Sequence, residues 1–205
     1  MISGEDFENF LVDIHLANEF EILANSVGYS HIEWIVIKRY PYDYLLSIYS
    51  EKSGYRVVLD IGLIANTVLE YGFFTVSTEN YNYKFVFDID KFSILFKKNV
   101  SSKLTVINFD DFVEGFPGKS IFSNLVNEQS LKKISENSLN IGIQRKRPPK
   151  EKVEFRYVAH FLGMTPNKEF YEGNKKLVDA LIANRLNRNE ALLKDIELKF
   201  KERFS

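Results

Sequence analysis

The sequence predicts an α+β protein with an N-terminal helix, an aromatic-rich and mainly antiparallel sheet, and a basic helical C-terminal region. Three observations carry that expectation. Apolar residues near the N-terminus recur every three or four positions, the spacing of one helix face. From Ile32 to Phe109 the pattern changes to short apolar runs broken by turn residues, and 19 of the chain's 30 Trp, Tyr and Phe residues fall between positions 30 and 125. Beyond residue 142 helical spacing returns together with an excess of Lys and Arg.

The first helix is expected over residues 4–26. Ser3 and Asp6 have the spacing of a capping arrangement, Phe7, Phe10, Leu11, Ile14 and Ala17 form the stripe, Phe20 and Ala24 extend it, and Gly28 supplies a stop. The clearest strand follows later, where Tyr81, Tyr83, Phe85 and Phe87 alternate with Asn82, Lys84, Val86 and Asp88, giving one aromatic face. Ser53-Gly54 separates the runs 44–49 and 55–59, and Glu79-Asn80 separates 73–77 from 81–87, so two hairpins are expected. Further strands are expected at 34–38, 92–96 and 104–109. Ala65, Val68 and Leu69 lack strand alternation, which assigns the second half of 57–71 to a helix.

After Phe116-Pro117-Gly118 the spacing is helical over 121–134, with Ser120 as cap, and polar residues 137–144 read as a linker. Pro148-Pro149 can open the next helix, because the first turn does not use the missing N–H, and Gly163 would end it. A final stripe of Ile182, Leu186, Leu193, Ile196, Phe200 and Phe204 is interrupted by Asn189, at a position expected to be apolar. Such a helix packs on its own domain or on a second chain.

Composition bounds the function. There are no cysteines, which excludes disulfides, thiolate metal sites and cysteine nucleophiles. His15, His31 and His160 are scattered, with no second histidine at metal-ligand spacing. Acidic Gly4-Glu5-Asp6 stands where a secretory signal would be basic, and no run approaches 18 apolar residues, so a cytoplasmic protein with no membrane partner is expected. Gly118-Lys119-Ser120 has the end of a phosphate-binding loop, but Val113 stands where its first glycine is needed and Pro117 lacks the N–H a phosphate would use. Asp88, Asp90, Asp110 and Asp111 have the oxygens a divalent cation wants, yet each pair follows an expected strand, where aspartates serve turns. No nucleophile, acid–base pair or metal set assembles at defensible spacing, so neither cofactor nor catalysis is expected.

The near-neutral total charge hides a division. Residues 1–142 hold 12 Lys/Arg against 19 Asp/Glu, net −7, and residues 143–205 hold 15 against 9, net +6, which sum to the overall −1. This suggests an acidic α+β domain over 1–142 and a basic helical region over 143–205, with nucleic acid as the first partner to consider.

Within the basic part, Val158-Ala159-His160-Phe161-Leu162-Gly163-Met164-Thr165-Pro166 resembles the first helix and turn of a helix-turn-helix, similar to the segment in the cyclic-AMP-receptor family of transcription regulators. The resemblance implies that Ala159 is small because a second helix crosses it, and that Gly163 makes the turn. It also implies that Val158, Leu162 and Met164 close the core and that Thr165-Pro166 start the second helix. It covers about 20 residues and then departs from the pattern, since Glu169 falls on an apolar position and Glu172-Gly173 on the middle of the recognition helix. Nothing in 1–142 resembles the nucleotide-binding domain of those regulators.

Arg145, Lys146, Arg147, Lys150, Lys168, Lys175, Lys176, Arg185 and Arg188 are the candidate nucleic-acid-binding residues, with Lys152 beside them. Interleaved Glu151, Glu154, Glu169 and Glu172 leave open an ordinary solvated surface. Two binding functions therefore stand ahead of a third reading, an enzyme whose site is assembled from distant residues. One is a non-catalytic protein that binds DNA through its C-terminal helices. The other is an adaptor or inhibitor that turns its aromatic sheet or last helix toward an acidic protein partner.

Overall fold

A computed structural model describes residues 8–54, 58–77, 82–113, 118–123, 126–139 and 147–205. The chain is α+β. In order the elements are α1 (Asn9–Val12), α2 (Ile14–Ser26), β1 (Glu33–Lys38), α3 (Pro41–Lys52), α4 (Ile61–Tyr71), β2 (Phe73–Ser77) and β3 (Asn82–Val86). There follow α5 (Ile89–Asn99), β4 (Lys103–Asn108), α6 (Phe109–Val113), α7 (Lys119–Phe122), α8 (Glu128–Leu139), α9 (Lys150–Phe161) and α10 (Lys168–Phe204).

Two expected strands are helices. Residues 44–49 lie inside α3, where Pro41 occupies the first position and Leu45, Ile48 and Tyr49 are buried at helical spacing. Residues 92–96 lie inside α5, whose Asp88 cap accepts a hydrogen bond from the Lys91 N–H and whose Phe92 and Phe96 are buried one turn apart. Short apolar runs fit either period, and here the caps decide. The expected hairpin across Ser53-Gly54 is therefore not formed, and its residues 55–57 lie outside the described ones. The second expected hairpin is formed, with β2 and β3 antiparallel and Phe74 opposite Phe85. The other two strands, β1 and β4, pair in parallel, so among the described residues there are two separate two-stranded sheets.

The chain forms two compact units, Met1–Tyr40 with Gly72–Gln144, and Pro41–Tyr71 with Arg145–Ser205. The second unit joins Pro41–Tyr71, from the acidic stretch, to Arg145–Ser205. The asymmetry of charge persists. The first unit holds 10 Lys/Arg and 15 Asp/Glu, net −5, and the second 17 and 13, net +4.

In the first unit Leu11, Ala17, Val86, Ile89, Phe92, Phe96, Val100 and Leu104 form the core, with Trp34, Val36 and Val106 of the parallel pair packed against it. The Trp34 ring lies 5.3 to 5.5 Å from those of Phe10, Phe20 and Phe96. Its indole N–H donates to Glu21 Oε1 at 2.7 Å, satisfying a buried carboxylate. Of the expected aromatic face, Tyr83 and Phe85 are half-buried and Phe87, just past β3, is buried, while Tyr81 lies outside the described residues. The deepest residue of β3 itself is Val86, on the opposite face, because α1 and α5 pack there, while Phe85 stacks on Phe74. Gly72 is forced by its surroundings, with φ at +83° and Asp88 Cβ only 2.7 Å from where its own Cβ would stand.

The second unit is helical. In it α10 packs against α3, α4 and α9, and Phe200 and Val178 are fully buried. The continuous helix of α10 contains one non-helical residue, Asn174, whose side chain donates to the Phe170 carbonyl.

Candidate functional site

Gly163 ends α9 ahead of the turn into α10. Gly163 has φ +71°, and its N–H donates to the His160 carbonyl while that of Met164 donates to the Ala159 carbonyl. This is the left-handed helix ending that glycine tolerates best. Ala159 is fully buried and packs with Phe170 and Val178 of α10, so the second helix does cross over a small side chain.

Other details of the turn differ from expectation. Leu162 and Met164 do not close the core but stand 43% and 47% exposed, because Phe155, Tyr171 and Ile182 fill that space instead. Thr165-Pro166 do not start the second helix. Asn167 caps it by accepting from the Phe170 N–H at 2.8 Å, two residues later. The segment before the Asn174 kink is six residues long and exposes Glu169 and Glu172.

A buried polar network lies on the same helix pair. Both oxygens of the Glu154 carboxylate are engaged. Tyr49 Oη and Asn189 Nδ2 each donate to Oε1 at 2.9 Å, and Arg185 Nε donates to Oε2 at 2.6 Å. Arg185 also donates to the Tyr49 hydroxyl at 3.1 Å and lies 3.3 Å from the centre of the Tyr157 ring. Burial pushes the Tyr49 phenol well above its ordinary pKa and the Glu154 charge adds to the shift, so Tyr49 stays a hydrogen-bond donor. Burial alone would lower the Arg185 pKa, but its bonds to Glu154 and Tyr49 outweigh that and raise it. The set fixes α3, α9 and α10 against one another through a buried ion pair and its hydrogen bonds.

The candidate binding residues separate accordingly. Arg185 is removed from the basic surface, since its side chain is 13% exposed and committed to Glu154. Arg188 pairs with Asp60 at 3.1 Å, and Lys168 with Glu172 at 3.5 Å. Asp60 also caps α4 by accepting from the Gly62 and Leu63 N–H groups. Burial opposes its charge, but these N–H groups and Arg188 hold its carboxyl below the ordinary value. Arg147 is exposed and donates to the Asp43 carbonyl at 3.4 Å. Arg145 and Lys146 lie outside the described residues. Lys150, Lys152, Lys175 and Lys176 are exposed and without an ion-pair partner among the described residues.

Tyr49 and Glu154 were missed by sequence reasoning. One signal pointed toward them: Asn189 inside an apolar stripe, which requires a buried polar partner. Among the described residues no group of His, Asp or Glu is placed to hold a metal ion, and no described helix is long and apolar enough to cross a membrane. Comparison with protein-family models, curated proteins and solved structures finds no match to this chain.

Proposed function

We propose that the protein binds nucleic acid through the second unit, using the exposed lysines of α9 and α10 and the basic run before α9. The observation that carries this reading is the four exposed lysines, Lys150, Lys152, Lys175 and Lys176, without ion-pair partners among the described residues, on a unit of net charge +4. Unpaired surface cations of this kind gain most from a phosphate backbone, because each contact releases condensed counterions. The contacts Glu154 to Asn189 and Ala159 to Val178 show that α9 and α10 run antiparallel. The two lysine pairs therefore stand at opposite ends of the helix hairpin, on the order of 20 Å apart at 1.5 Å per residue. That length spans several phosphates.

Anisotropy titrations of the full chain with labelled DNA and RNA at several salt concentrations test this. Affinity should fall steeply with salt, and Lys175→Ala with Lys176→Ala should reduce the log–log salt slope by about 1.4 to 1.8, at roughly 0.7 to 0.9 per phosphate contact. Binding that is absent at low salt, or a slope left unchanged by those substitutions, rejects the reading. A second reading, an adaptor for a protein partner, is favoured by Ile22, Leu23, Val27 and Tyr29, which stand 62% to 70% exposed at the end of α2 in the first unit.

A further inference from the structure

Phe161 stands 68% exposed in the last turn of α9. A single exposed aromatic ring is ordinary, but this one lies beside a second ring in a parallel pair. The Phe161 ring lies nearly parallel to that of Tyr157, one turn earlier, at an interplanar angle of 9° and a centroid distance of 6.2 Å. Tyr157 is itself covered by the Arg185 guanidinium at 3.3 Å, and Arg185 is held by Glu154. Arg185, Tyr157 and Phe161 thus follow one another from the buried network to a ring open to solvent. By the antiparallel register of α9 and α10, Lys175 and Lys176 lie at the same end of the hairpin as Phe161.

The geometry points to a seat for an unpaired nucleobase: single-stranded nucleic acid, with a base stacked on Phe161 and the adjoining phosphates drawn to Lys175 and Lys176. This deepens the nucleic-acid reading and rests on it. Single-strand binders combine these two parts, since every base has a π-face and the backbone needs only positive charge nearby. The same observations disfavour a duplex. The segment of α10 that a helix-turn-helix would lay in the major groove ends after six residues at Asn174, and its exposed Glu169 and Glu172 would face phosphates. A base in a duplex also keeps its face inside the stack, where Phe161 cannot reach it.

The test uses the full chain, fluorescein-labelled single-stranded DNA and RNA 20-mers, and duplexes of the same sequence, followed by anisotropy. The single strand should bind more tightly than the duplex. Phe161→Ala should weaken single-strand binding roughly tenfold or more with unchanged far-UV circular dichroism, because the lost side chain is largely exposed. Phe161→Trp should keep the affinity, and the emission of the new indole should be quenched when the strand binds. Lys132→Ala, in the first unit, should change nothing. A duplex bound as tightly as the single strand, or a folded Phe161→Ala protein with unchanged affinity, overturns the stacking inference while salt-sensitive binding would leave the broader reading intact. Absence of binding to every probe overturns both and turns attention to a protein partner.

Discussion

Glu154 is an acidic residue 3% exposed on a chain where most carboxylates face water. Leaving a carboxylate in such a place is costly unless its oxygens are paired and hydrogen-bonded, and Tyr49, Arg185 and Asn189 supply donors to both of them. The energetic consequence is asymmetric. Removing one partner strands a buried charge, whereas removing both charges together does not. Arg185→Met keeps the stem and removes the guanidinium, so it should destabilise the second unit by about 3–5 kcal/mol. The double variant Glu154→Met with Arg185→Met should recover part of that loss, although Tyr49 and Asn189 are then left short of a partner. Urea midpoints for the two singles and the double close the thermodynamic cycle. An Arg185→Met protein within about 0.5 kcal/mol of the parent would behave like a surface substitution, and the network would then have no part in holding α3, α9 and α10 together.

At the scale of elements, the α9–α10 turn depends on one small side chain. Ala159 is fully buried with Phe170 and Val178 over it, so Ala159→Leu should force those residues apart and cost about 1–3 kcal/mol by overpacking. A near-neutral midpoint in denaturant titration would mean that the crossing can open without loss. This turn was legible in the sequence because Ala159 and Gly163 have local, one-to-one structural demands. The hairpin of β2 and β3 was legible for a similar reason, since period-two alternation cannot be satisfied by a helix. By contrast α3 and α5 were misread as strands. Tyr44, Leu45, Ile48 and Tyr49, like Phe92 and Phe96, fit both periods over so short a length, and their assignment depends on Pro41 and on the Asp88 cap. The parallel pairing of β1 with β4 was not legible at all, because it joins residues some 70 positions apart with no local signal of direction. In the candidate site, the lysines could be read from charge alone. Arg185 could not be told from them, since its commitment to Glu154 and Tyr49 depends on contacts across 31 and 136 positions.

At the scale of the whole molecule, the basic unit is not the C-terminal tail by itself. It is completed by Pro41–Tyr71, which bring the buried Leu45, Ile48, Ile61, Ile64, Ala65 and Val68 to the unit that also holds α9 and α10. In sequence this stretch adds only Lys52 and Arg56 against Asp43, Glu51, Asp60 and Glu70. What it supplies is apolar area, the Tyr49 hydroxyl for Glu154, and Asp60 for Arg188. Residues 143–205 alone would leave Phe200 and Ile196 without the α3 and α4 surfaces, and would leave Glu154 one hydrogen bond short. A fragment of 143–205 should therefore show helical circular dichroism from the length of α10 but melt without a cooperative transition, because isolated helices are marginal without tertiary packing. The intact chain should melt sigmoidally over the same range. If the fragment melted sigmoidally and carried the salt-dependent nucleic-acid affinity proposed for the full protein, α9 and α10 would be an independent binding module, and Pro41–Tyr71 would be dispensable to the unit they join.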